Sequence, residues 1–335
     1  MSFTPPKQDI AEIVANIEQF EHFENSQILI TGATGFLGTW LSDSLIAANL
    51  KYQLGMQISL LSRNATVPNN VKRLSGLHVL KHDLRIPLPV DLPEFNYVFH
   101  TATPSQPLTG GNDAQSVYKI ATVGTNNLLS HLSKQNTTPV FLHTSSGAVD
   151  KIKLDNLESE LQKAYRTGKE EAEHMVVSSS HNGSVIGTNP RLYTFAGPGI
   201  NTDAHFVAGE FIKKAMKTEP LVIKGNPNTL RSYMYPTDLI RWLVTISKKP
   251  TLDTIRVGSP NAITIAELAA LVYSIVNFED QIFYGDETLR ATEYVPDLTD
   301  TLNRYPFKID VSTRESFARW KNYLLEISNQ GGIVR

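Results

Sequence analysis

Three side chains in this chain are spaced for moving a proton. The stretch "AYRTGK" sets Tyr165 and Lys169 four residues apart, so on a helix the two share one face. Tyrosine titrates near 10 in water and is a poor base at neutral pH, but a neighbouring cation stabilises the phenolate. Lys169 is such a cation. Upstream, "HTSSGAV" closes an apolar run and offers Ser146, whose hydroxyl can hold the same substrate oxygen for proton transfer. A Tyr-x-x-x-Lys pair alone is a weak signal, and a surface pair beside a strand-end serine is its bland alternative. The order of the motifs, serine at a strand end and then tyrosine and lysine on the next helix, is the one that hydride transfer at a carbinol requires.

A hydride needs a carrier, and "ILITGATGFLGTWL" supplies a place for one. Gly32, Gly35 and Gly38 follow an apolar strand and open a helix. That spacing allows a tight turn, lets the backbone approach a pyrophosphate and leaves helix N–H groups for the anion. Thr34, Phe36 and Leu37 make up the rest of this cradle. At the end of the second strand, "LLSRN" has no acidic residue for the ribose hydroxyls. Ser62 and Arg63 stand there instead, suited to hydrogen-bond and neutralise a 2′-phosphate. NADP is therefore favoured; NAD is possible if Arg63 is a solvated loop charge.

These groups have to be positioned by the surrounding elements. Short β-branched runs ("QILITG", "QISLLSR", "LHVLKHD", "YVFHTA", "PVFLHTSS") alternate with helical stretches, the pattern of a parallel sheet with right-handed crossovers covered on both faces. The expected fold is α/β, a Rossmann-type doubly wound sheet with a smaller C-terminal substrate-binding cap. Residues 1–25 form an N-terminal helical extension, with Ile10, Ile13, Val14, Ile17 and Phe20 on one helical face. Residues 26–190 with 232–258 form the dinucleotide-binding domain, and 191–231 with 259–335 the cap. Within the cap, "VIKGNPNTLRSYMY" reads as strand, turn and strand.

Composition narrows the chemistry. With 335 residues, 41% of them hydrophobic, and a net charge of -2, nothing favours nucleic acid or an anionic membrane surface. No leader pattern or long apolar run occurs, so the expectation is a soluble, cytoplasmic protein. The absence of cysteine excludes disulfides, thiolate nucleophiles and Cys-ligated metal centres. Nine histidines are scattered without a ligand spacing, so no metal site is expected, and His143 reads as a satisfied structural histidine.

Together the glycine turn, "HTSSGAV" and "YRTGK" resemble the extended short-chain dehydrogenase/reductase superfamily, in its NAD-dependent epimerase/dehydratase branch acting on nucleotide sugars. The likeness runs from Gln27 through nearly the whole chain. It implies that Asp83 and Leu84 of "HDL" contact adenine, and that Thr101, Ala102 and Thr103 of "FHTAT" line the cofactor. It likewise places Leu192 of "PRLYTFAGPG" at the cofactor and Thr194 at the substrate. Arg231 of "KGNPNTLRSYMYPTDL" would meet a substrate diphosphate, which a bidentate guanidinium suits. A homodimer paired through "SVYKIATVGTNNLLSHLS" and "YRTGKEEAEHMVV" is implied too.

One departure bears on the reaction. Dehydratases of this branch carry an Asp-Glu pair directly after the strand-end hydroxyl residue, where this chain has Gly147 and Ala148. Without a positioned acid and base, each proton transfer loses a contribution of roughly 10²–10⁴ in rate, so a 4,6-dehydratase is disfavoured. The expected activity is hydride transfer at sugar C4 of a nucleotide-linked deoxyhexose, by a 4-ketoreductase or a 4-epimerase. A reductase of a non-sugar carbonyl and a catalytically silent NADP-binding sensor are the other readings. The usual Tyr-Gly after "AV" is replaced by Asp150-Lys151.

Overall fold

In a computed structural model of the protein, which describes residues 3–63, 75–102, 113–150, 158–202, 206–276 and 281–329, the alternating runs become strands joined by helices. The chain divides into two units, Met1–Leu192 with Ile240–Ile255, and Tyr193–Leu239 with Arg256–Arg335. The N-terminal segment thus belongs to the first unit instead of standing apart, and residues 232–239 and 256–258 belong to the second.

In the first unit, α1 (Lys7–Ile13) and two 3-10 turns precede β1 (Gln27–Thr31), α2 (Phe36–Tyr52), β2 (Gln57–Ser62), β3 (Leu77–Lys81) and β4 (Tyr97–His100). Then come α3 (Ala114–Leu132), β5 (Val140–His143), β6 (Ser145–Ser146), α4 (Glu160–His181) and β7 (Ile186–Leu192). The second unit opens with α5 (Val207–Met216), β8 (Leu221–Val222) and β9 (Leu230–Ser232), and α6 (Pro236–Lys248) leads back to the first unit, where β10 (Thr254–Val257) joins the sheet. The second unit ends with β11 (Ala262–Thr264), α7 (Ile265–Val276), β12 (Ile282–Phe283), β13 (Glu293–Tyr294), α8 (Thr299–Arg304) and α9 (Thr313–Asn329).

The large sheet has the order β10-β7-β5-β4-β1-β2-β3, with β6 also on β7. From β1 the chain builds outward through β2 and β3, then returns to place β4 on the other side of β1, with parallel pairing on both flanks. That reversal opens a crevice at the strands' carboxyl ends. Register makes it concrete: Thr31 sits level with Leu61 on one side and His100 on the other. Burial of Ile28, Leu29, Ile30, Val98, Phe99, Phe141 and Leu142 explains why the strands read as near-continuous apolar runs, since helices cover both faces.

The N-terminal segment differs from the single helix expected. α1 stops at Ile13, and separate 3-10 turns occupy Ile17–Gln19 and Glu21–Phe23. The break has a cause: the carbonyl of Val14 accepts from both Lys51 Nζ and Tyr52 Oη at 2.8 Å, and the Asn16 side chain caps the next turn by accepting from the Glu18 N–H. Phe20 and Phe23 are fully buried, with Phe23 edge-on to Tyr97 at 4.7 Å.

In the second unit, α5, α7 and α9 bury Phe211, Leu268, Val272, Phe317 and Trp320 in one cluster. The expected strand-turn-strand is absent as such, because β8 pairs with β12 whereas β9 lies between β11 and β13. Asn226 separates them: its Oδ1 accepts from Asn228 N at 2.8 Å while its Nδ2 donates to the carbonyls of Glu287 and Leu289. No helix among the described residues is long and apolar enough to cross a membrane.

The glycine turn is the tightest joint in the first unit. A methyl group on Gly38 would meet the Gly32 carbonyl oxygen and come within 2.7 Å of Ala33 Cα. Backbone atoms there have no room to yield, so Gly38→Ala should lower the unfolding free energy by about 1–3 kcal/mol, as for other overpacked sites. Urea unfolding checks this; an unchanged midpoint would refute the close approach.

Candidate active site

The glycine turn makes one wall of the site. Gly32 has φ +68°, and a Cβ there would lie 2.7 Å from Ala102 Cα and 2.8 Å from the Thr101 carbonyl. Thr101 is tied back to β1, its Oγ1 donating to the Thr31 carbonyl at 2.6 Å. Gly35 is the N-cap of α2, and no side chain caps that helix. Its first-turn N–H groups are therefore left without a side-chain cap at the glycine turn, the arrangement that receives an anion. A cleft of about 260 Å3 runs from here, lined by Gly32, Thr34 and Gly35, by Ser62 at the end of β2 and Arg63 after it, and by Asp83 and Leu84 after β3. Arg85, Thr101 and Ala102 line it as well. Of the other predicted cradle residues, Phe36 stacks on Phe3 at 6.4 Å and Leu37 is half-buried. Thr103 lies outside the described residues.

The residues present fit a dinucleotide at this turn. Arg63 is exposed and makes no hydrogen bond or ion pair among the described residues, although its charge helps to hold down the pKa of Asp83. Asp83, expected to meet adenine, is occupied: Arg85 donates to it through Nε at 3.0 Å and Nη2 at 2.5 Å. Chiefly through the hydrogen bonds from Arg85, that carboxyl is held down at about 2. An adenine amino group would share an acceptor that already binds a guanidinium.

Ser146, Tyr165 and Lys169, the residues that the sequence singles out for proton transfer, lie on β6 and α4. α4 begins in a capping box formed by Ser159 and Gln162, which fixes the N-cap six residues ahead of Tyr165. Ser146 ends β6 and is the N-cap of a 3-10 turn, its Oγ accepting from the Ala148 N–H at 3.2 Å. The Ser146 hydroxyl is near enough to Tyr165 to lower its pKa. Lys169 is 2% exposed, and its Nζ donates to the Thr144 carbonyl at 2.5 Å. Ser146 thus lies near Tyr165, while Lys169 reaches the carbonyl of Thr144, two residues before Ser146.

The electrostatics differ from the simple expectation. Burial pushes the Tyr165 phenol up, and Ser146 offsets this only in part. The burial of Lys169 lowers its ammonium to about 7 against the pull of Glu173. In the protein alone, desolvation therefore decides the direction of the Tyr165 shift. His143 is half satisfied: its Nδ1 pairs with Asn189 Oδ1 at 2.9 Å, and its Nε2 has no partner among the described residues.

Leu192 closes β7 opposite Ser146. Thr194 and Arg231 belong to the second unit. There the Thr194 carbonyl accepts from Met234 N at 3.0 Å, and Arg231, in β9, donates to the Leu230 carbonyl at 2.7 Å and to Thr292 Oγ1 at 3.2 Å. Burial lowers the Arg231 guanidinium. Sequence reasoning missed Arg85, two residues past Asp83, and Glu173, which repeats on α4 the four-residue step from Tyr165 to Lys169.

A family model described as the NAD dependent epimerase/dehydratase family matches residues 28–258. The chain is 24% identical over 308 residues to UDP-glucuronic acid decarboxylase 6 of Arabidopsis thaliana, covering 89% of this chain and 84% of that one. Among solved structures, an epimerase from Methanothermobacter thermautotrophicus superimposes with a TM-score of 0.78 at 17% identity, over 96% of this chain and 97% of that one. A UDP-glucuronic acid 4-epimerase variant from Bacillus cereus, in complex with UDP-4-deoxy-4-fluoro-glucuronic acid and NAD, gives a TM-score of 0.75 at 18% identity, over 90% and 99% of the two chains. These likenesses bear out the doubly wound fold.

The buried lysine makes a measurable demand on stability. Lys169 titrates at about 7 in the fold against 10.5 ordinarily, so between those values the unfolded chain binds more protons and stability rises with pH. Lys169→Met should flatten that rise between pH 7 and 10, read from urea midpoints. His100, lowered by burial to about 3, and His143, lowered by burial well below its usual 6.5, give the same sign at acid pH. Stability should fall as pH drops below about 6.5, and His143→Gln should weaken that fall; parental slopes in both variants would overturn these assignments.

Proposed function

Because the chain belongs to the NAD dependent epimerase/dehydratase family, we propose that it transfers a hydride between a nicotinamide cofactor and C4 of a UDP-linked hexose, as a 4-epimerase or 4-ketoreductase. The observation that carries this reading is Lys169, buried and donating to the Thr144 carbonyl at the strand end that carries Ser146, one helical turn from Tyr165. The nicotinamide, when bound, takes up or returns the hydride. Tyr165 Oη takes the proton from the C4 hydroxyl during oxidation and returns it during reduction. Ser146 holds that oxygen in line, and the Lys169 charge stabilises the phenolate while the proton is away. Gly147 and Ala148 provide no carboxylate for eliminating water, which supports epimerase or reductase chemistry over dehydration.

Ser62 and Arg63 favour NADP, whereas the solved relative from Bacillus cereus is named with NAD. Gly32, Thr34, Gly35 and Gly38 would hold the pyrophosphate, and Arg231 the substrate diphosphate. Two copies would pair through α3 and α4. A second reading is favoured by the Arabidopsis relative, which is named a UDP-glucuronic acid decarboxylase. Oxidation of a glucuronic acid at C4 makes a β-keto acid, which loses its carboxylate as CO2, so the same three residues would open that reaction.

Single-turnover assays with UDP-glucose, UDP-glucuronic acid and a UDP-4-keto-6-deoxyhexose, each with NAD(H) and NADP(H), separate these outcomes by product. Tyr165→Phe should reduce turnover by roughly 10²–10⁴; unchanged turnover would sink the assignment. Arg63→Ala should weaken NADPH binding by roughly 10–100-fold, the worth of a charged hydrogen bond, and leave NADH binding nearly unchanged. Equal effects on both would return the preference to NAD, and tight NADPH binding with no turnover of any sugar would favour a sensor.

A further inference from the structure

Glu173 is 5% exposed, and every oxygen it has is engaged. Its Oε1 accepts from Ser145 Oγ at 2.5 Å and from Arg191 Nε at 2.8 Å, and its Oε2 accepts from Arg191 Nη2 at 2.6 Å. The same guanidinium donates through Nη1 to Asp150 Oδ1 at 2.5 Å. Even the Glu173 backbone carbonyl accepts from Asn189 Nδ2 at 3.4 Å.

The places this network grips are specific. Ser145 lies opposite Arg191 in the register of β6 and β7, one residue before Ser146. Asp150 is the C-cap of the 3-10 turn whose N-cap is Ser146. The segment is therefore held at both ends, by Glu173 at Ser145 and by Arg191 at Asp150, with Ser146 between the two anchors. Glu173 itself rides on α4, four residues beyond Lys169 and eight beyond Tyr165, so one carboxylate ties the helix bearing two of the groups to the strand end bearing the third. A buried ion pair contributes little net stability against an apolar replacement, so stability alone is a poor account of this arrangement.

We propose that Glu173, acting with Arg191, is a positioning residue that clamps the Ser145–Asp150 segment and thereby sets Ser146 against Tyr165 and Lys169. The proposal rests on those three as the hydride-transfer site. It has an electrostatic side as well. The groups facing Lys169 are Glu173 from α4, His100 from β4, His143 from β5 and the Thr144 carbonyl, with Tyr165 one turn earlier on α4; of these Glu173 is the anion that holds the ammonium charged. Arg191 from β7 and Asp150 complete two cations and two carboxylates.

The test compares the parent with Glu173→Gln, Glu173→Asp and a Glu173→Met/Arg191→Met double variant, which removes both charges and keeps the fold available if Gln alone leaves Arg191 stranded. Amide exchange of Ser145–Asp150 should rise at least tenfold in the Gln and double variants, with β1 and α2 unchanged. On whichever nucleotide sugar the parent turns over, Glu173→Gln should lower kcat at least tenfold with little change in KM. It should also move the alkaline fall of kcat to lower pH, and Glu173→Asp should restore that limb. Parental exchange in a folded double variant, or a parental kcat and pH profile in Glu173→Gln, would overturn the clamp. If the parent turns over no nucleotide sugar, the C4 reading fails, and the exchange measurement alone decides the clamp.

Discussion

A lysine enclosed where strands meet a helix constrains the architecture of the first unit. Lys169 cannot keep its charge there without acceptors, and it finds the Thr144 carbonyl at 2.5 Å and the field of Glu173. Histidines on the same side stay neutral, since burial drives both His100 and His143 downward and the lysine's charge drives them further the same way. A protonated imidazole beside that ammonium would add like charge to a desolvated space. Lys169 thus carries its charge beside imidazoles that stay neutral.

Much of this was legible in the sequence because backbone geometry and residue type coincide. Gly32 and Gly38 are required by approaches that exclude any Cβ, and such requirements leave visible spacing. Tyr165 and Lys169 stand out in the sequence for the same reason, since a helix turns a four-residue interval into a shared face. The N-terminal helix was misjudged because its apolar period continues past Val14, whereas its hydrogen bonds are diverted by Lys51 and Tyr52, some 37 residues away. Periodicity carries no record of a competing donor elsewhere in the chain.

The direction of the Tyr165 shift was missed for a related reason. Spacing shows that a lysine is near, but not how dry the pocket is, and dryness dominates here. Arg85 was overlooked because an arginine two residues from an aspartate is common on surfaces. Only the fold shows that this pair lies in the cleft and uses up the carboxylate that the motif had assigned to adenine. In the second unit, the pairing of β8 and β9 was misread because Asn226 spends its side chain on carbonyls some 60 residues downstream.

The first unit is interrupted in sequence, and this bears on how the protein is made. Ile240–Ile255 returns to it after residues 193–239 have been committed to the second unit. That late segment is bound to the N-terminal residues, with His22 Nε2 3.1 Å from Ser247 Oγ and Lys248 Nζ 3.0 Å from Glu21 Oε1. Domains otherwise tend to fold in order as the chain emerges during synthesis. Here the earliest residues wait for partners some 225 positions later, so the nascent dinucleotide half stays open along one edge until the first part of the second unit has left the ribosome.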